Sequence, residues 1–460
     1  MIADLKPYAE YKESGLPWLL HVPSTWKVVR NGSLFGQRNQ TGHEALPILE
    51  VSLKTGVRVR NFENSTRKQV MSDFGKYKHA ARGDVAYNTM RMWQGAVGVS
   101  PVDGLVSPAY VVARPYPDVE PRFFVALFRT DDYMSEIDNC SRGIVKDRNR
   151  LYWDQFKQIL SPCPPPAEQA AIVRFLDWAN GRLERAIRAK RKVIALLNEQ
   201  KQAIIHRAVT RGLNPSVPLK PSGIPWLGDI PRHWEVRCAK YLFREVDERS
   251  ADGSEELLSV SHLTGVTPRS QKNITMFKAA SYAGHKLCRA GDLVVNTMWA
   301  WMGALGVSTY AGIISPAYAV YRPHRPECIV GIYMDGLLRS RPYVSNIICR
   351  STGLRASRLR LYPEEFFRLP IIQPPAEEQQ RIVRAIQGET ADLNTAISRL
   401  EREIELLREY RTRLVADVVT GKLDVREAAA RLPEEVAPDT VEDDTDLSLD
   451  PEAADEEAAV

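Results

Sequence analysis

Two long segments of the chain place apolar residues at alternating intervals of four and three. In the second segment these residues are Leu393, Ile397, Leu400, Ile404, Leu407, Leu414 and Val418, and in the first they are Leu183, Ile187, Ile194, Leu197 and Ile204. Arg411 fills one polar slot of the second segment, while Lys190 and Lys201 interrupt the first. A stripe sustained over three or more heptads predicts a coiled coil.

We predict helices over residues 167–209 and 377–419, each about 40 residues or roughly 60 Å long. Both open on a proline-rich start, PPPAEQ at Pro164 and PPAEEQ at Pro374. Proline suits a first helical turn because its missing N–H would have no partner there. Since only one such helix follows each half of the chain, the two should pair with each other, and the polar interruptions favour a short or partly solvated seam.

The segments before each helix have a different pattern. Residues 45–59, 83–90 and 107–115 are β-branched and punctuated by glycine and proline, which predicts short strands. Residues 119–139 and 327–348 have helical spacing. Each body is therefore predicted to be a mixed α+β domain of about 150 residues. Residues 215–222 are polar and proline-rich, as linkers tend to be.

The chain contains an internal repeat with an offset of about 208 residues. SGLPW at Ser14 recurs as SGIPW at Ser222, and about 19 of 33 positions are identical between residues 83–115 and 291–323. A period this long indicates two whole domains, each with an appended helix. We predict a first domain over 1–163, a spacer helix and linker over 164–214, a second domain over 215–373, a distal helix over 374–425, and an acidic, disordered tail over 426–460.

Charge is distributed unevenly. The formal net charge is +5, but the residues from Pro433 onward carry about 12 acids and no Lys or Arg, so the rest of the chain carries about +17. A basic folded part is typical of a surface that binds phosphates. The six scattered cysteines favour reduced, mostly buried thiols. With neither an apolar membrane span nor a signal pattern in the sequence, a cytoplasmic location is the expectation.

Motifs for catalysis are missing from the sequence. There is no GxxxxGK[ST] loop, no GxGxxG between a strand and a helix, no HExxH and no Asn-Pro-Pro-aromatic stretch. Asp84 and Asp292 are the only acids repeated in the best-matching block, and each follows a glycine just before a strand. A turn role is therefore favoured over acid–base chemistry for both.

Together, the repeated opening motif, the GD…NTM…W-GA-GVS…SPAY block and the PP-EQ start of each helix resemble the specificity subunits of type I restriction–modification systems. The resemblance covers about residues 14–425. It implies two similar mixed α/β target-recognition domains, joined and spaced by two long antiparallel coiled-coil helices in a pseudo-twofold arrangement. It also implies double-stranded DNA, two modification (methyltransferase) subunits and two restriction (translocase/nuclease) subunits as partners. No cofactor is expected in this chain; S-adenosylmethionine, ATP and Mg are expected on the partner subunits, and no membrane is involved.

Two alternatives stay open at this stage. One is a coiled-coil scaffold with duplicated protein-binding heads, and the other is a single-chain restriction or modification enzyme. Salt-dependent binding to duplex DNA separates a DNA-binding protein from the scaffold. Methyl transfer or nicking by the isolated chain would favour the enzyme.

Positions that differ inside the shared framework are the better candidates for base recognition. Trp18, Trp26, Trp226 and Trp234, together with the identical Asn88, Asn296, Tyr110 and Tyr318, are predicted to be structural. Between the shared NTM and GA stand Arg91, Trp93 and Gln94 in one copy, and Trp299 and Trp301 in the other. Arginine pairs with guanine and glutamine with adenine, so this loop is predicted to contact bases.

Basic loops are predicted to hold phosphates, since such contacts position a protein without specifying sequence. In the first copy they contain Arg58, Arg60, Arg67, Lys68, Arg142, Lys146, Arg148 and Arg150. In the second copy they contain Arg269, Lys272, Arg350, Arg355, Arg358 and Arg360.

Overall fold

The protein divides into two compact units. The computed structural model describes residues 5–60, 74–143, 149–271, 281–353 and 359–433. Within these described ranges, unit 1 comprises residues 5–190 and 402–433, and unit 2 comprises residues 191–401. Unit 1 is therefore assembled from two separate parts of the chain.

Unit 1 contains the first copy of the repeat. Its strands are β1 (Tyr11–Leu16), β2 (Leu19–Pro23), β3 (Lys27–Arg30), β4 (Phe35–Arg38), β5 (Leu49–Ser52), β6 (Gly56–Val59), β7 (Lys78–Ala80), β8 (Val85–Asn88), β9 (Val97–Val99), β10 (Gly104–Val106), β11 (Tyr110–Pro115) and β12 (Leu160–Cys163). The helices of the same part of the chain are α1 (Pro121–Phe128), α2 (Asp131–Cys140), α3 (Trp153–Phe156) and the long α4 (Pro166–Arg211).

A four-stranded antiparallel sheet in the order β4-β11-β8-β9 forms the centre of unit 1. One face of it packs against α1 and α3 through an aromatic cluster of Phe35, Phe124, Phe128 and Phe156. Trp26 is fully buried beside Phe123, and Trp18 packs edge-on against Tyr133 with ring centroids 5.2 Å apart. The structural role predicted for these tryptophans is confirmed.

Unit 2 repeats the arrangement. Its strands are β13 (Leu219–Pro221), β14 (Asp229–Pro231), β15 (Glu235–Cys238), β16 (Phe243–Val246), β17 (Leu258–Ser261), β18 (Gly265–Pro268), β19 (Lys286–Cys288), β20 (Leu293–Val295), β21 (Leu305–Val307), β22 (Gly312–Ile314), β23 (Ala319–Pro323) and β24 (Pro370–Gln373). Its helices are α5 (Gly331–Leu338), α6 (Arg341–Arg350), α7 (Pro363–Phe367) and the first part of α8 (Ala376–Val419). The last part of α4, residues 191–211, also belongs to unit 2. The rest of α8 and the short helix α9 (Arg426–Ala430) belong to unit 1.

The central sheet of unit 2 has the order β16-β23-β20-β21, equivalent strand by strand to that of unit 1. Trp234 is fully buried, and Trp226 packs against Tyr343 with centroids 5.0 Å apart. The predicted fold class, two similar mixed α/β domains joined by long antiparallel helices, is confirmed.

The PP-EQ motif fastens each long helix to its domain. In unit 1, Gln169 accepts the Glu120 amide N–H at 2.8 Å and donates to the Pro164 carbonyl oxygen at 2.8 Å. In unit 2, Gln379 accepts the Val330 N–H at 2.9 Å and donates to the Pro374 carbonyl oxygen at 2.8 Å. The side chain thus bridges the start of the long helix to the residue before α1 or α5, which explains its repetition.

Within each unit α4 and α8 pair antiparallel, as predicted. Each of the three polar interruptions forms a hydrogen bond with a side chain of the other helix. Lys190 donates to Glu403 at 2.5 Å, Lys201 donates to Asn394 at 2.8 Å, and Arg411 donates to Glu184. Leu183, Ile187, Ile404 and Leu414 are buried, whereas Ile194, Leu197, Leu393 and Leu407 are only partly so. The seam is therefore partly solvated, in line with its interrupted heptads.

Two predicted boundaries need correction. The linker over 215–222 contains β13, which pairs with β14, so its second half belongs to a sheet. The tail was predicted to begin at residue 426, but α9 lies there and buries Ala428, Ala429 and Leu432. These three apolar residues stand directly before the strongly charged residues, and for that reason the sequence did not predict a folded segment here. Residues 434–460 lie outside the described part of the chain.

The predicted helical segments 119–139 and 327–348 each form two helices. Thr130 separates α1 from α2 because its hydroxyl oxygen accepts the Tyr133 N–H, and Ser340 occupies the equivalent position between α5 and α6.

The prediction that the thiols are mostly buried is wrong. Among the six cysteines, which all lie in the described ranges, only Cys288 is buried, and burial raises the pKa of its thiol to about 12. Cys349 is exposed at the end of α6.

Candidate nucleic-acid interface

A tight loop joins β8 to β9 in unit 1. Its first residue, Asn88, donates its backbone N–H to the Ala96 carbonyl oxygen at 3.0 Å, and its Oδ1 accepts the Met90 N–H at 3.0 Å. A 3-10 helix over Met92–Gln94 follows, and Gly95 closes the turn with φ of +86°. A left-handed conformation of this kind favours glycine. The loop is thereby fixed at both ends.

The loop between β20 and β21 in unit 2 has the same construction. Asn296 Oδ1 accepts the Met298 N–H at 3.2 Å, a 3-10 helix spans Ala300–Met302, and Gly303 has φ of +88°. The identical asparagines Asn88 and Asn296 therefore hold the loop, as predicted for framework positions.

The matched tryptophans of the loop are also held by backbone. Trp93 Nε1 donates to the Met90 carbonyl oxygen at 3.0 Å, and Trp301 Nε1 donates to the Met298 carbonyl oxygen at 2.9 Å. Because these contacts are equivalent, the two indoles are part of the shared loop architecture. The loops differ instead at two partly or fully exposed pairs, Arg91 against Trp299 and Gln94 against Met302.

These differing positions present different chemistry. In unit 1 the guanidinium of Arg91 and the amide of Gln94 are exposed hydrogen-bonding groups. In unit 2 the Trp299 ring stacks on Trp301 with centroids 5.6 Å apart and an interplanar angle of 19°. The Trp299 indole nitrogen is buried and has no hydrogen-bond partner among the residues described. One loop thus offers polar donors and acceptors, and the other an aromatic pair with a thioether.

A second loop lies beside the first in each unit. In unit 1, Arg142 and Arg150 exchange two backbone hydrogen bonds of 3.0 Å, and the next residue, Leu151, donates its N–H to the Thr89 carbonyl oxygen at 2.9 Å. In unit 2, Thr352 pairs with Arg360 in the same way, and Leu361 donates to the Thr297 carbonyl oxygen at 2.9 Å. The structure therefore brings Arg142 and Arg150 next to the loop of Arg91, and Arg360 next to the loop of Trp299.

Tyr110 connects a third segment to this region. Burial raises the pKa of its hydroxyl, the negative charge of Glu50 raises it further, and the positive charges of Arg60 and Arg91 lower it. Arg60 and Arg91 therefore act on the same side chain from two different segments. Its repeat partner Tyr318 is buried.

Some predicted phosphate-binding residues have carboxylate partners within their own unit. Arg58 pairs with Glu50 at 2.5 Å across β5 and β6, and Arg350 pairs with Glu365 at 3.3 Å and with Asn346 at 2.8 Å. Arg269 lies in a 3-10 helix directly after β18. Seven residues lie outside the described parts of the chain, namely Arg67, Lys68, Lys146, Arg148, Lys272, Arg355 and Arg358.

Sequence reasoning missed two arginines that each hold a further turn of their unit. The Arg129 guanidinium donates to the carbonyl oxygens of Leu53 and Lys54, in the turn between β5 and β6. Arg339 donates to those of His262 and Leu263, in the equivalent turn between β17 and β18. The signal was available, because Arg129-Thr130 and Arg339-Ser340 occupy matching positions after equivalent helices.

The repeated aspartates have the predicted turn role. Asp84 accepts the Ala81 N–H at 2.9 Å and pairs with Arg38 at 2.6 Å, and Asp292 accepts the Arg289 N–H at 2.9 Å and pairs with Arg322 at 2.8 Å. Both are buried. Across the five described ranges, no group of His, Cys, Asp and Glu is arranged to hold a metal ion, and no helix there is long and apolar enough to cross a membrane.

Comparison with known proteins gives matches among solved structures only. No family model and no curated protein matches the chain. A chain from a structural study of complex assembly and conformational transition of a type I restriction–modification system matches with a TM-score of 0.54 and 16% identity, covering 87% of this chain and 99% of that one.

Two further solved structures match with lower scores. The HsdS subunit from Thermoanaerobacter tengcongensis is 17% identical, with a TM-score of 0.40 and coverage of 87% and 98%. The type I restriction–modification S subunit from M. genitalium is 10% identical, with a TM-score of 0.33 and coverage of 85% and 96%. The match with a TM-score of 0.54, at 16% identity, shows a shared fold.

Proposed function

We propose that this chain is the DNA sequence-recognition subunit of a type I restriction–modification complex, and that each unit contacts one half of a split target. The observation that carries the proposal is the duplicated loop, whose framework is the same in both units while its exposed residues differ at positions 91/299 and 94/302. A protein that recognises two unequal half-sites needs this combination of constant support and variable contacts. The fold shared with a chain of such a system supports the proposal.

The chemistry of the two loops suggests different half-sites. Arg91 can bond guanine O6 and N7 with two donors, and Gln94 can bond adenine N6 and N7. Trp299 and Met302 lack that pattern, but apolar side chains can contact the thymine methyl group or enter a base step. We assign phosphate contacts to the arginines at the base of the second loop, which are Arg142, Arg150 and Arg360.

We assign no catalytic step to this chain. The long helices are the proposed docking surface for modification subunits, and restriction subunits complete the complex. On α8, Leu406 is 57% exposed and Tyr410 is 42% exposed beside a surface cavity of about 550 Å³, and such exposed apolar residues suit a protein partner. S-adenosylmethionine, ATP and Mg would bind the partner subunits.

Methylome sequencing tests the proposal directly. Cells that express this chain with a modification subunit should carry methylation at one interrupted sequence, and cells that lack this chain should not. Methyl transfer or nicking by the highly purified chain alone would instead support the single-chain enzyme.

Binding of the chain to duplex DNA should weaken steeply with salt. For a protein with about 6–10 phosphate contacts, raising salt from about 50 to about 200 mM should lower the affinity by about 10³–10⁵-fold, because bound cations on the DNA are released on binding. Fluorescence anisotropy with a labelled duplex measures the slope. Absence of duplex binding at low salt would favour the protein-binding scaffold.

Exchanging the variable loop residues between the units should change the recognised sequence and leave the affinity for DNA in general intact. The variant carries Arg91→Trp and Gln94→Met together with Trp299→Arg and Met302→Gln. Each altered base contact is worth about 1–3 kcal/mol of discrimination, so the preferred base at the affected positions should change. Methylome sequencing of the variant measures the outcome.

A matched control uses a pair of differing exposed residues outside the loop. Val102 and Tyr310 occupy equivalent turns and are each 38% exposed. Exchanging them should leave the methylated sequence unchanged. If the loop exchange also left it unchanged, recognition would have to be assigned to the loops at 58–68 and 142–150.

A further inference from the structure

A carboxylate of unit 2 lies between an arginine and the edge strand of the central sheet. Asp335 of α5 accepts the Val307 N–H of β21 at 2.8 Å through Oδ1, and its Oδ2 lies 3.6 Å from Arg339 Nη1. The same guanidinium uses Nη2 to donate to the carbonyl oxygens of His262 and Leu263. One arginine therefore holds a turn and a carboxylate at the same time.

Unit 1 keeps the arginine and the turn but lacks the carboxylate. Arg129 donates through Nη2 to the carbonyl oxygens of Leu53 and Lys54, as its counterpart does in unit 2. The residue four positions before Arg129, where unit 2 has its aspartate, is Val125. Burial lowers the pKa of the Arg129 guanidinium, and no carboxylate of the described ranges counteracts that effect. The positive charge of Arg129 is thus not compensated by an ion pair there.

The backbone donor that the carboxylate uses in unit 2 is also present in unit 1. Val99, at the end of the edge strand β9, is the counterpart of Val307. The next residue, Ser100, donates its N–H to the Asp84 carbonyl oxygen at 2.7 Å and continues the ladder between β8 and β9. Hydrogen-bonded pairs alternate with non-hydrogen-bonded pairs in such a ladder. The Val99 N–H therefore points away from β8, and the side chain of Val125 offers it no acceptor.

A cavity of about 510 Å³ lies at this place in unit 1. Val99, Val125 and Arg129 all line it, and most of the other lining residues are apolar. The remaining charged pair of the lining, Arg122 and Asp177, is joined in an ion pair. Small-molecule sites typically have volumes of about 300–1,000 Å³, apolar walls and a few polar groups that converge on the ligand. The cavity has these properties.

Asn180 of α4 adds an unpaired acceptor to the lining. Its Oδ1 is buried and has no hydrogen-bond partner in the part of the chain that the structure describes. The aligned residue of unit 2, Thr390, donates its hydroxyl to the Ile386 carbonyl oxygen at 2.7 Å. A buried polar atom without a partner is costly, so a ligand that donates a hydrogen bond to Asn180 is favoured. Unit 1 thus leaves a donor, a cation and an acceptor to a ligand.

We propose that this cavity binds a small carboxylic acid with an apolar body and a hydroxyl group. The ligand carboxylate takes the place that Asp335 has in unit 2, where it accepts the Val99 N–H and pairs with Arg129, and the hydroxyl donates to Asn180. Hydrogen bonds between ionised partners are the strong ones, and the apolar walls exclude water from them. The bound acid joins α1 to β9, as Asp335 joins α5 to β21, and it therefore stabilises unit 1. The proposal stands independently of the assigned function.

Binding of 4-hydroxyphenylacetate to the full chain tests the proposal by isothermal titration calorimetry. This probe combines a carboxylate, an aromatic ring and a hydroxyl. 4-Methylphenol, which lacks only the carboxylate, should bind more weakly by about tenfold or more. Val125→Asp should weaken binding of the probe by a similar factor, because its own carboxylate occupies the site. The matched control Val102→Asp places the same charge on an exposed turn of unit 1 and should bind the probe like the parent.

Thermal unfolding without any ligand provides a second test. Aspartate and asparagine have nearly the same size, but only aspartate supplies the negative charge that Arg129 lacks. Val125→Asp should therefore melt at a higher temperature than Val125→Asn, and in unit 2 Asp335→Asn should lower the midpoint. The proposal is overturned if the parent does not bind the probe, if 4-methylphenol binds equally well, or if Val125→Asp keeps full binding. A midpoint of Val125→Asp at or below that of Val125→Asn would also overturn it.

Discussion

A chain that ends after Arg413 is expected to lose the folded structure of unit 1, whereas a chain that ends after Pro433 is expected to keep it. The residues between these two ends supply Leu414, Val418, Val419 and Val425 to the same core as Trp26 and Phe35. Full burial of each such side chain stabilises a fold by about 1.5–3 kcal/mol. Four of them approach the whole stability of a domain, which is about 5–15 kcal/mol.

The chain that ends after Arg413 also loses hydrogen bonds that involve the backbone of residues 421 and 424. The Asp424 N–H donates to the Lys6 carbonyl oxygen at 2.8 Å, and Tyr11 donates its hydroxyl to the Gly421 carbonyl oxygen at 3.1 Å. The segment after α8 therefore closes the first strands of unit 1 as well as its core. Limited proteolysis followed by mass spectrometry should find rapid cleavage within residues 5–163 of the chain ending at Arg413.

The chain ending at Pro433 serves as the control because it lacks only 434–460. Its thermal midpoint should match that of the full chain. Equal midpoints and equal proteolysis patterns for all three chains would contradict the assignment of residues 414–433 to the core of unit 1.

The long helices were predictable because their signal is local and periodic. Residues 167–209 and 377–419 were predicted as helices, and α4 and α8 span Pro166–Arg211 and Ala376–Val419. The partners of the polar interruptions were not predictable. Lys190 and Glu403 are 213 positions apart, and no single-sequence pattern relates two residues at that distance.

The internal repeat predicted the framework of the candidate site, but it did not predict the contacts of the individual basic residues. Both outcomes have the same cause. Identity between copies marks what both need, so Asn88, Asn296 and the buried tryptophans were assigned correctly. It cannot show which basic residues are already paired within the fold. The contact of Arg58 with Glu50 follows from the register of β5 and β6, and the stack of Trp299 on Trp301 follows from the 3-10 helix that begins at Ala300.

Replacing Ile404 by aspartate should lower the free energy of unfolding of the full chain by about 3 kcal/mol or more. Ile404 is 6% exposed on α8, next to Glu403, which contacts Lys190 of α4. Removing a buried isoleucine side chain alone costs about 2–5 kcal/mol. A buried carboxylate without a partner adds several kcal/mol. Urea unfolding followed by circular dichroism measures the change, and assembly with a modification subunit should be lost with the helix pair.

The same substitution two residues later is the matched control. Leu406 is 57% exposed on the same helix, so Leu406→Asp removes a similar apolar side chain and adds the same charge without burying it. Its free energy of unfolding should stay within about 0.5 kcal/mol of the parent, as for most surface substitutions. If partner subunits dock on the exposed side of α8, Leu406→Asp should weaken assembly while leaving stability intact, and Ile404→Asp should reduce both. Equal stability of the two variants would show that the packing of α4 on α8 does not depend on Ile404, and the seam would then have to be assigned to other residues.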